Sequence, residues 1–189
     1  MKVRARNIAV ALSSFIQPMS GYAVRHIPDT PGRNYDIYDF SDCGISNENR
    51  WNMAGEPSLY LAKEKDVALA EYARHFQVNR TPSLAAQTYR RQVYRFQFQL
   101  DRVVDLTSPD VWLELSLTNA PECFKDKPVA RSVAQFLRRT TETQAILVPS
   151  MAFFDNLQQW CLVLFLEKLP DDSKTFLPTV EFDGYFQIG

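Results

Sequence analysis

The sequence lacks the residue combinations from which a metal centre is usually built. Its three cysteines, Cys43, Cys123 and Cys161, are widely spaced, and His26 and His75 are the only histidines. No CxxC or HxxxH pair occurs, so we expect no metal site. The odd number of cysteines favours buried or unreactive thiols in a reducing compartment.

An excess of one charge and long apolar runs are also missing. The 189 residues include 21 Lys and Arg against 22 Asp and Glu, so we expect no direct nucleic-acid binding. No run reaches the ~18 apolar residues of a membrane span. The N-terminal Lys2, Arg4 and Arg6, followed by IAVALSSFI, resemble a secretory signal. However, serines interrupt this short run and no A-x-A site follows, so we expect a cytoplasmic protein and leave targeting as the alternative.

The composition is that of one globular domain. Hydrophobic residues make up 46% and charged residues 23% of the chain, and a chain of this length buries about 70% of its unfolded surface. Strand and helix patterns do not alternate strictly, which favours an α+β domain with mixed central sheets and flanking helices over a doubly wound sheet. We expect an N-terminal extension at residues 1–20 and a domain at 21–189.

Hydrophobic periodicity places the elements. It predicts strands at 22–27, 58–62, 94–100, 102–106, 145–148, 161–166 and 180–182. It predicts helices at 65–77, from Ser108 and around 128–137, and a helix or strand at 8–16 that ends at Pro18 and Gly21. The helix at 65–77 has a predicted buried stripe of Leu69, Tyr72, Ala73 and Phe76. Residues 28–49 are predicted to form a long surface loop of the kind that often serves as a functional lid.

Five side chains are candidate site residues, although each also has a structural interpretation. They are Arg25, Arg50, Tyr60, Glu71 and Ser150. Arg25 could be an edge-strand cation, and Arg50 a loop residue stacked on the indole of the next residue. Tyr60 could be an ordinary strand residue and Glu71 an ordinary helix residue. Ser150 could be part of a turn. Together the guanidinium, aromatic and carboxylate groups suit a ligand with phosphate, a flat ring and ribose, as in a dinucleotide. No P-loop, Rossmann glycine motif or G-x-S-x-G motif is present.

The order and spacing of these residues resemble the RES-domain family. The matching segments are Tyr22-x-x-Arg25, Arg50-Trp51, Gly55, Leu59-Tyr60-Leu61-Ala62, Ala68-x-x-Glu71 and Ile146-Leu147-Val148-Pro149-Ser150. The resemblance implies an ADP-ribosyltransferase-like fold and a toxin of a RES–Xre toxin–antitoxin pair that consumes NAD⁺. It implies Arg50, Tyr60, Glu71 and Ser150 as active-site residues and Arg25 as a further NAD⁺-binding residue. NAD⁺ would be a substrate, with no permanently bound cofactor, and a protein antitoxin would be the partner.

The chemistry of NAD⁺ cleavage gives each residue a predicted role. Breaking the nicotinamide–ribose bond builds positive charge on the ribose, which Glu71 would stabilise. Tyr60 would stack on a flat ring, the arginines would hold phosphates, and Ser150 would hydrogen-bond ribose or nicotinamide without acting as a nucleophile. Three functions stay open: hydrolysis or phosphorolysis of NAD⁺, mono-ADP-ribosylation of a macromolecule, and a silent module that binds a nucleotide or partner.

Overall fold

Six strands form one mixed sheet on which the helices pack. A computed structural model describes residues 2–29, 32, 35–79 and 89–188. The strands are β1 (Ile16–Pro28), β2 (Ser58–Ala62), β3 (Tyr89–Asp105), β4 (Ala145–Pro149), β5 (Trp160–Phe165) and β6 (Thr179–Ile188). The α-helices of this part of the chain are α1 (Lys2–Ala11), α2 (Lys65–Asn79), α3 (Pro109–Glu114) and α4 (Lys127–Thr140). The predicted α+β class is confirmed.

The pairing of the strands closes on itself. The order is β1-β2-β5-β4-β3-β6, and β1 also pairs with β3. Only β3 and β4 run parallel, whereas every other pair is antiparallel. Val24 of β1 lies opposite Ala62 of β2, so residue 25 lies beside the strand that carries Tyr60. This closure brings together site residues that are far apart in the sequence.

Strands β1 and β3 are longer than predicted, because the residues that suggested breaks form a β-bulge within the paired strands. Pro18 does not end β1, and Asp101 and Arg102 do not separate two strands. Gln17 pairs with Val103 and Met19 with Leu100, so two residues of β3 lie opposite one proline of β1. The side chain of Gln144 accepts hydrogen bonds from the backbone N–H groups of residues 101 and 102. The polar groups that the bulge leaves unpaired are therefore satisfied.

The core lies on both sides of the central strands. All five residues of β4 are buried, as expected for a strand covered on both faces. Helix α4 covers one face with Ala130, Val133, Ala134 and Leu137. The N-terminal segment joins this core, because Leu12 is fully buried and residues 16–20 belong to β1.

Helix α2 packs through a face rotated from the predicted stripe. Val67 and Ala68 are its most buried described residues, at 0% and 4% exposure, and they pack with Val24 and Ala62. The predicted Leu69 and Tyr72 contribute partly buried contacts to the same cluster, while the side chain of Phe76 lies outside the described residues. The stripe was partly wrong because the N-terminal end of α2 meets β1 and β2 directly. Glu71 follows Val67 by one turn, which directs it along this packed face.

Candidate active site

A cavity of about 480 Å³ lies among β1, the loop before β2, β2, α2 and the end of β4. Its volume is typical of small-molecule sites. Arg25, Arg50, Tyr60 and Glu71 line it. Ser150 lies behind the wall and is fully buried. The fold thus gathers all five predicted residues in and around one cavity.

Glu71 is held in place by the segment that follows β4. Its Oε1 accepts a hydrogen bond of 2.6 Å from the Ser150 hydroxyl and one of 3.0 Å from the backbone N–H of Ala152. Among the described residues, no hydrogen bond reaches Oε2. One carboxylate oxygen therefore fixes the orientation of the group, and the other is available to a ligand in the cavity.

Ser150 organises the turn that carries this hydrogen bond. Its Oγ accepts from the N–H groups of Ala152 and Phe153 at 3.2 and 3.3 Å, and its own N–H donates to the carbonyl of Gln159. A serine hydroxyl that closes such a turn is held rigidly. Because Ser150 is buried and bonded to Glu71, the geometry suits a positioning role. Direct contact with ribose or nicotinamide remains a prediction.

The hydroxyl of Tyr60 is used inside the protein. It accepts from the Trp51 N–H at 3.1 Å and donates to Asn52 Oδ1 at 2.7 Å. Burial raises the pKa of this hydroxyl well above its usual value, so the group stays protonated at neutral pH. The cavity is therefore left with the ring of Tyr60, and stacking on a flat ligand ring stays a prediction for it.

The loop before β2 is folded tightly around Asn52. This fully buried side chain donates to the carbonyls of Gly44 and Met53 at 2.9 and 2.7 Å. Gly44 has a φ of +92°, and a Cβ there would lie 2.0 Å from the carbonyl oxygen of Glu56. Only glycine fits this close approach. The described residues of the predicted loop at 28–49 form no helix, and no strand beyond Pro28. Its second half contributes to the wall of the cavity, and its role as a lid stays a prediction.

Arg50 is anchored on one side and open on the other. Its Nη1 donates to the carbonyls of Phe124 and Lys125 at 2.9 and 2.8 Å. Burial lowers the pKa of this guanidinium, the neighbouring charge of Arg74 lowers it further, and Glu71 opposes that shift. The remaining N–H groups of Arg50 are available to a ligand. Stacking of Arg50 on the next indole does not appear among the described contacts.

Arg25 binds the loop that crosses β1. Its Nη1 donates to the carbonyl of Ile37 at 3.1 Å, its Nη2 meets Cys43 Sγ at 3.4 Å, and its guanidinium carbon lies 5.2 Å from the Phe40 ring centroid. Burial lowers its pKa. Both terminal nitrogens of Arg25 are therefore engaged by the loop, whereas Nη2 of Arg50 makes no hydrogen bond to the described residues. A phosphate contact stays a prediction for Arg25.

Two partly buried titratable groups complete the wall. Burial, and then the nearby Glu71 charge, raise the pKa of the Cys161 thiol, so this cysteine stays protonated. Burial lowers the pKa of His26 to about 3, with Arg91 and Arg25 acting in the same direction. Arg91 donates to Nδ1 of His26 at 3.1 Å, as a neutral imidazole allows. Neither group is charged near neutral pH.

Sequence reasoning missed three residues of this site. Arg74 and Cys161 line the cavity, and Asn52 holds the Tyr60 hydroxyl. Arg74 could have been found, because residues three apart on a helix share a face and Glu71 was already a candidate. No local signal marks the other two residues, which depend on contacts between the loop and the sheet.

The described part of the chain lacks two other kinds of site. No cluster of three or more His, Cys, Asp or Glu side chains is arranged to hold a metal ion there. None of the helices in the same residues combines the length and apolar character that a membrane crossing needs.

Comparison with known proteins places the chain by family and by fold. The RES domain family model matches residues 23–183. The structure is similar to a chain of the crystal structure of the M. tuberculosis MbcT–MbcA toxin–antitoxin complex, with a TM-score of 0.64 and 18% sequence identity. This match covers 98% of the present chain and 92% of the other chain. Among curated proteins, no sequence matches closely enough to count as a relative.

Proposed function

The chain belongs to the RES-domain family, and from this premise we propose that it is an NAD⁺-consuming toxin of a toxin–antitoxin pair. The main supporting observation is Glu71. Its carboxylate lines a cavity that also holds Tyr60 and Arg50, and one of its oxygens is fixed by Ser150 and Ala152. A fixed negative charge in such a cavity suits a reaction that builds positive charge on its substrate.

The proposed reaction breaks the bond between nicotinamide and ribose. The bonding electron pair moves to the nicotinamide nitrogen, which becomes neutral, and positive charge develops on the ribose ring. Glu71 stabilises that charge through its free oxygen, directly or through the ribose hydroxyls. Water or phosphate then bonds to the anomeric carbon, giving ADP-ribose and a proton or the corresponding sugar phosphate.

The other residues would bind and orient NAD⁺. Arg50 directs its free N–H groups to the phosphates, where charge-assisted bonds to a guanidinium are strong. Tyr60 offers its ring to a flat ring of the ligand. Arg25 adds positive charge and the donors that the loop does not use. Ser150 acts through Glu71, because its hydroxyl already bonds that carboxylate.

A protein antitoxin is the proposed partner. The structurally similar chain comes from a toxin–antitoxin complex, and an enzyme that consumes the cytoplasmic NAD⁺ pool would need such control. A partner that covers the cavity mouth, bordered by residues 42–51 of the loop, would stop the reaction by excluding substrate. The near balance of charges in the chain does not select the sign of that partner's surface.

Product analysis tests the proposed reaction. Purified protein is incubated with NAD⁺, with and without phosphate, and with a labelled NAD⁺ in a cell lysate. We expect nicotinamide together with ADP-ribose or its 1-phosphate in the mass spectrum. Label on protein, with little free ADP-ribose, would instead indicate mono-ADP-ribosylation. Binding without turnover would indicate a silent module.

Growth after induction in bacteria tests the toxin role. We expect wild-type protein, produced without a partner, to lower the NAD⁺ pool and arrest growth. The Glu71→Gln protein at the same soluble level should do neither. Unchanged NAD⁺ and growth with soluble wild-type protein would contradict this role.

A further inference from the structure

Arg74 is the one arginine of the cavity wall that has no partner among the described residues. It makes no hydrogen bond and no ion pair there, whereas Arg25 donates to Ile37 and Cys43, and Arg50 donates to two carbonyls. A guanidinium has five N–H donors. Arg74 therefore offers the largest set of free donors to any ligand that enters.

The position of Arg74 places it beside the other charged groups of the cavity. It lies three residues after Glu71 on α2 and so on the same side of the helix. Its charge acts on Arg50 strongly enough to lower the pKa of that group, second only to burial. Two guanidinium groups thus line one cavity close enough to repel each other.

Positive charge slightly exceeds negative charge on the wall of the cavity. The cationic side chains are Arg25, Arg50, Arg74 and Lys127, and the carboxylates are Asp42, Glu48 and Glu71. Lys127 is already paired with Glu48 at 3.2 Å. Glu71 is held by Ser150 and Ala152, and its charge acts on the pKa of Arg50 in the opposite direction to Arg74 but less strongly. An anion with two charged ends would satisfy both Arg50 and Arg74, and its binding would replace repulsion by attraction.

We propose that Arg74 and Arg50 together form a subsite for a diphosphate, with one guanidinium on each phosphate. Arg25 then serves mainly to hold residues 37–43 of the loop against β1. The identification of the natural ligand as the diphosphate of NAD⁺ rests on the proposed function, whereas the diphosphate chemistry itself rests on the two arginines.

Calorimetric titration with inorganic pyrophosphate and with orthophosphate tests this subsite, because neither ligand is turned over. We expect the wild-type protein to bind pyrophosphate more tightly than orthophosphate. Arg74→Gln should lower pyrophosphate affinity about tenfold or more, because it removes charge-assisted hydrogen bonds. It should also abolish the preference over orthophosphate. Arg74→Lys should recover part of the affinity, since lysine keeps the charge but not the paired donors.

A matched arginine outside the cavity provides the control. Arg139 has a side chain 67% exposed on α4 and does not line the cavity, so Arg139→Gln should bind pyrophosphate like the wild type. Equal affinities for wild type and Arg74→Gln would overturn the proposal. Equal affinities of the wild type for the two phosphates, or no pyrophosphate binding at all, would overturn it as well.

The test of the diphosphate subsite can fail or succeed independently of the test of the proposed function. Nicotinamide release is measured on the same wild-type preparation. If pyrophosphate binding depends on Arg74 but NAD⁺ stays intact, the subsite is supported and the proposed enzymatic function is contradicted. If NAD⁺ is consumed but wild type and Arg74→Gln bind pyrophosphate equally, the enzymatic function is supported and the subsite is contradicted.

Discussion

The hydrogen bond from the Ser150 hydroxyl to Glu71 joins the end of β4 to helix α2 across the wall of the cavity. We expect Ser150→Ala to lower kcat by about tenfold, because the carboxylate loses one of the two bonds that orient it. Pyrophosphate binding should not change. The double variant with Glu71→Gln should be no slower than Glu71→Gln alone, since residues that act as a unit are not additive.

Steady-state kinetics on the four proteins checks this dependence. Ser132→Ala removes an equally small hydroxyl from the exposed side of α4 and should leave kcat unchanged. Independent, multiplicative losses in the double variant would show that Ser150 does not work through Glu71.

Gly44 offers a second test at a single residue. A Cβ at this position would meet the backbone of Glu56 at 2.0 Å and of Ser58 at 2.7 Å. Gly55 has a similar φ of +83°, but nothing lies within 4 Å of its added Cβ. Gly55→Ala should therefore cost only the left-handed backbone penalty of about 1–2 kcal/mol. Gly44→Ala should cost clearly more, because the backbone has to move. Equal losses in urea unfolding would contradict this packing of the loop.

Between elements, Arg138 ties α4 to the turn before β2 and to the end of β5. It is 6% exposed, its Nη2 donates to Ser58 at 2.7 Å, and it pairs with Glu56 at 3.2 Å and Glu167 at 3.1 Å. Removing one partner of a buried ionic group leaves uncompensated charge. We expect Arg138→Ala to lower the free energy of unfolding by about 3–5 kcal/mol.

The adjacent arginine is the control for this element contact. Arg139 meets Glu56 at 3.5 Å but is largely exposed, so Arg139→Ala should change the free energy of unfolding by less than about 1 kcal/mol. Urea unfolding of both variants gives the comparison. A small loss for Arg138→Ala would show that the cluster does not hold α4 in place.

The sequence predicts elements best where their pattern is uninterrupted. Strand β2 was predicted with its exact residues, and α2 and β4 nearly so, because their apolar spacing is regular. Pro18 and the Asp101–Arg102 pair misled the prediction of β1 and β3. They mark a bulge whose polar groups are satisfied by Gln144, which lies 42 residues further on. Local chemistry does not reveal such a partner.

At the scale of the whole molecule, β1 pairs with both β2 and β3 and carries the partly buried His26 in the wall of the cavity. The pKa of His26 is about 3 in the fold and about 6.5 in an unfolded chain. Between these values only the unfolded state takes up the proton, so stability falls as pH decreases. The slope from this group approaches about 1.4 kcal/mol per pH unit.

Urea unfolding from pH 7 to 4.5 measures this contribution. We expect wild-type protein to lose stability more steeply than His26→Gln, whose side chain does not titrate. Slopes are compared rather than absolute stabilities, because the substitution itself changes packing against Tyr72 and Phe186. Parallel slopes would contradict the buried neutral state of His26.

The site was predictable as a set of residue types but not as an arrangement. The order of Arg25, Arg50, Tyr60, Glu71 and Ser150 along the chain pointed to the family. The first four line one cavity, and Ser150 is bonded to Glu71 behind its wall. The hydrogen bonds of the Tyr60 hydroxyl to the preceding loop and of the Ser150 hydroxyl to α2 are contacts between elements, which a sequence pattern does not reveal.

We propose above all that the carboxylate charge of Glu71 drives cleavage of NAD⁺. The most direct test is nicotinamide release by purified wild-type and Glu71→Gln proteins, with matched circular dichroism and unfolding curves. The glutamine oxygen can still accept hydrogen bonds from Ser150 and Ala152, so the side chain keeps its orientation, while the negative charge and the free acceptor oxygen are lost. We expect the wild type to release nicotinamide, and Glu71→Gln to release it at least about a hundredfold more slowly. Near-equal rates in two folded proteins, or no release by the wild type, would contradict it.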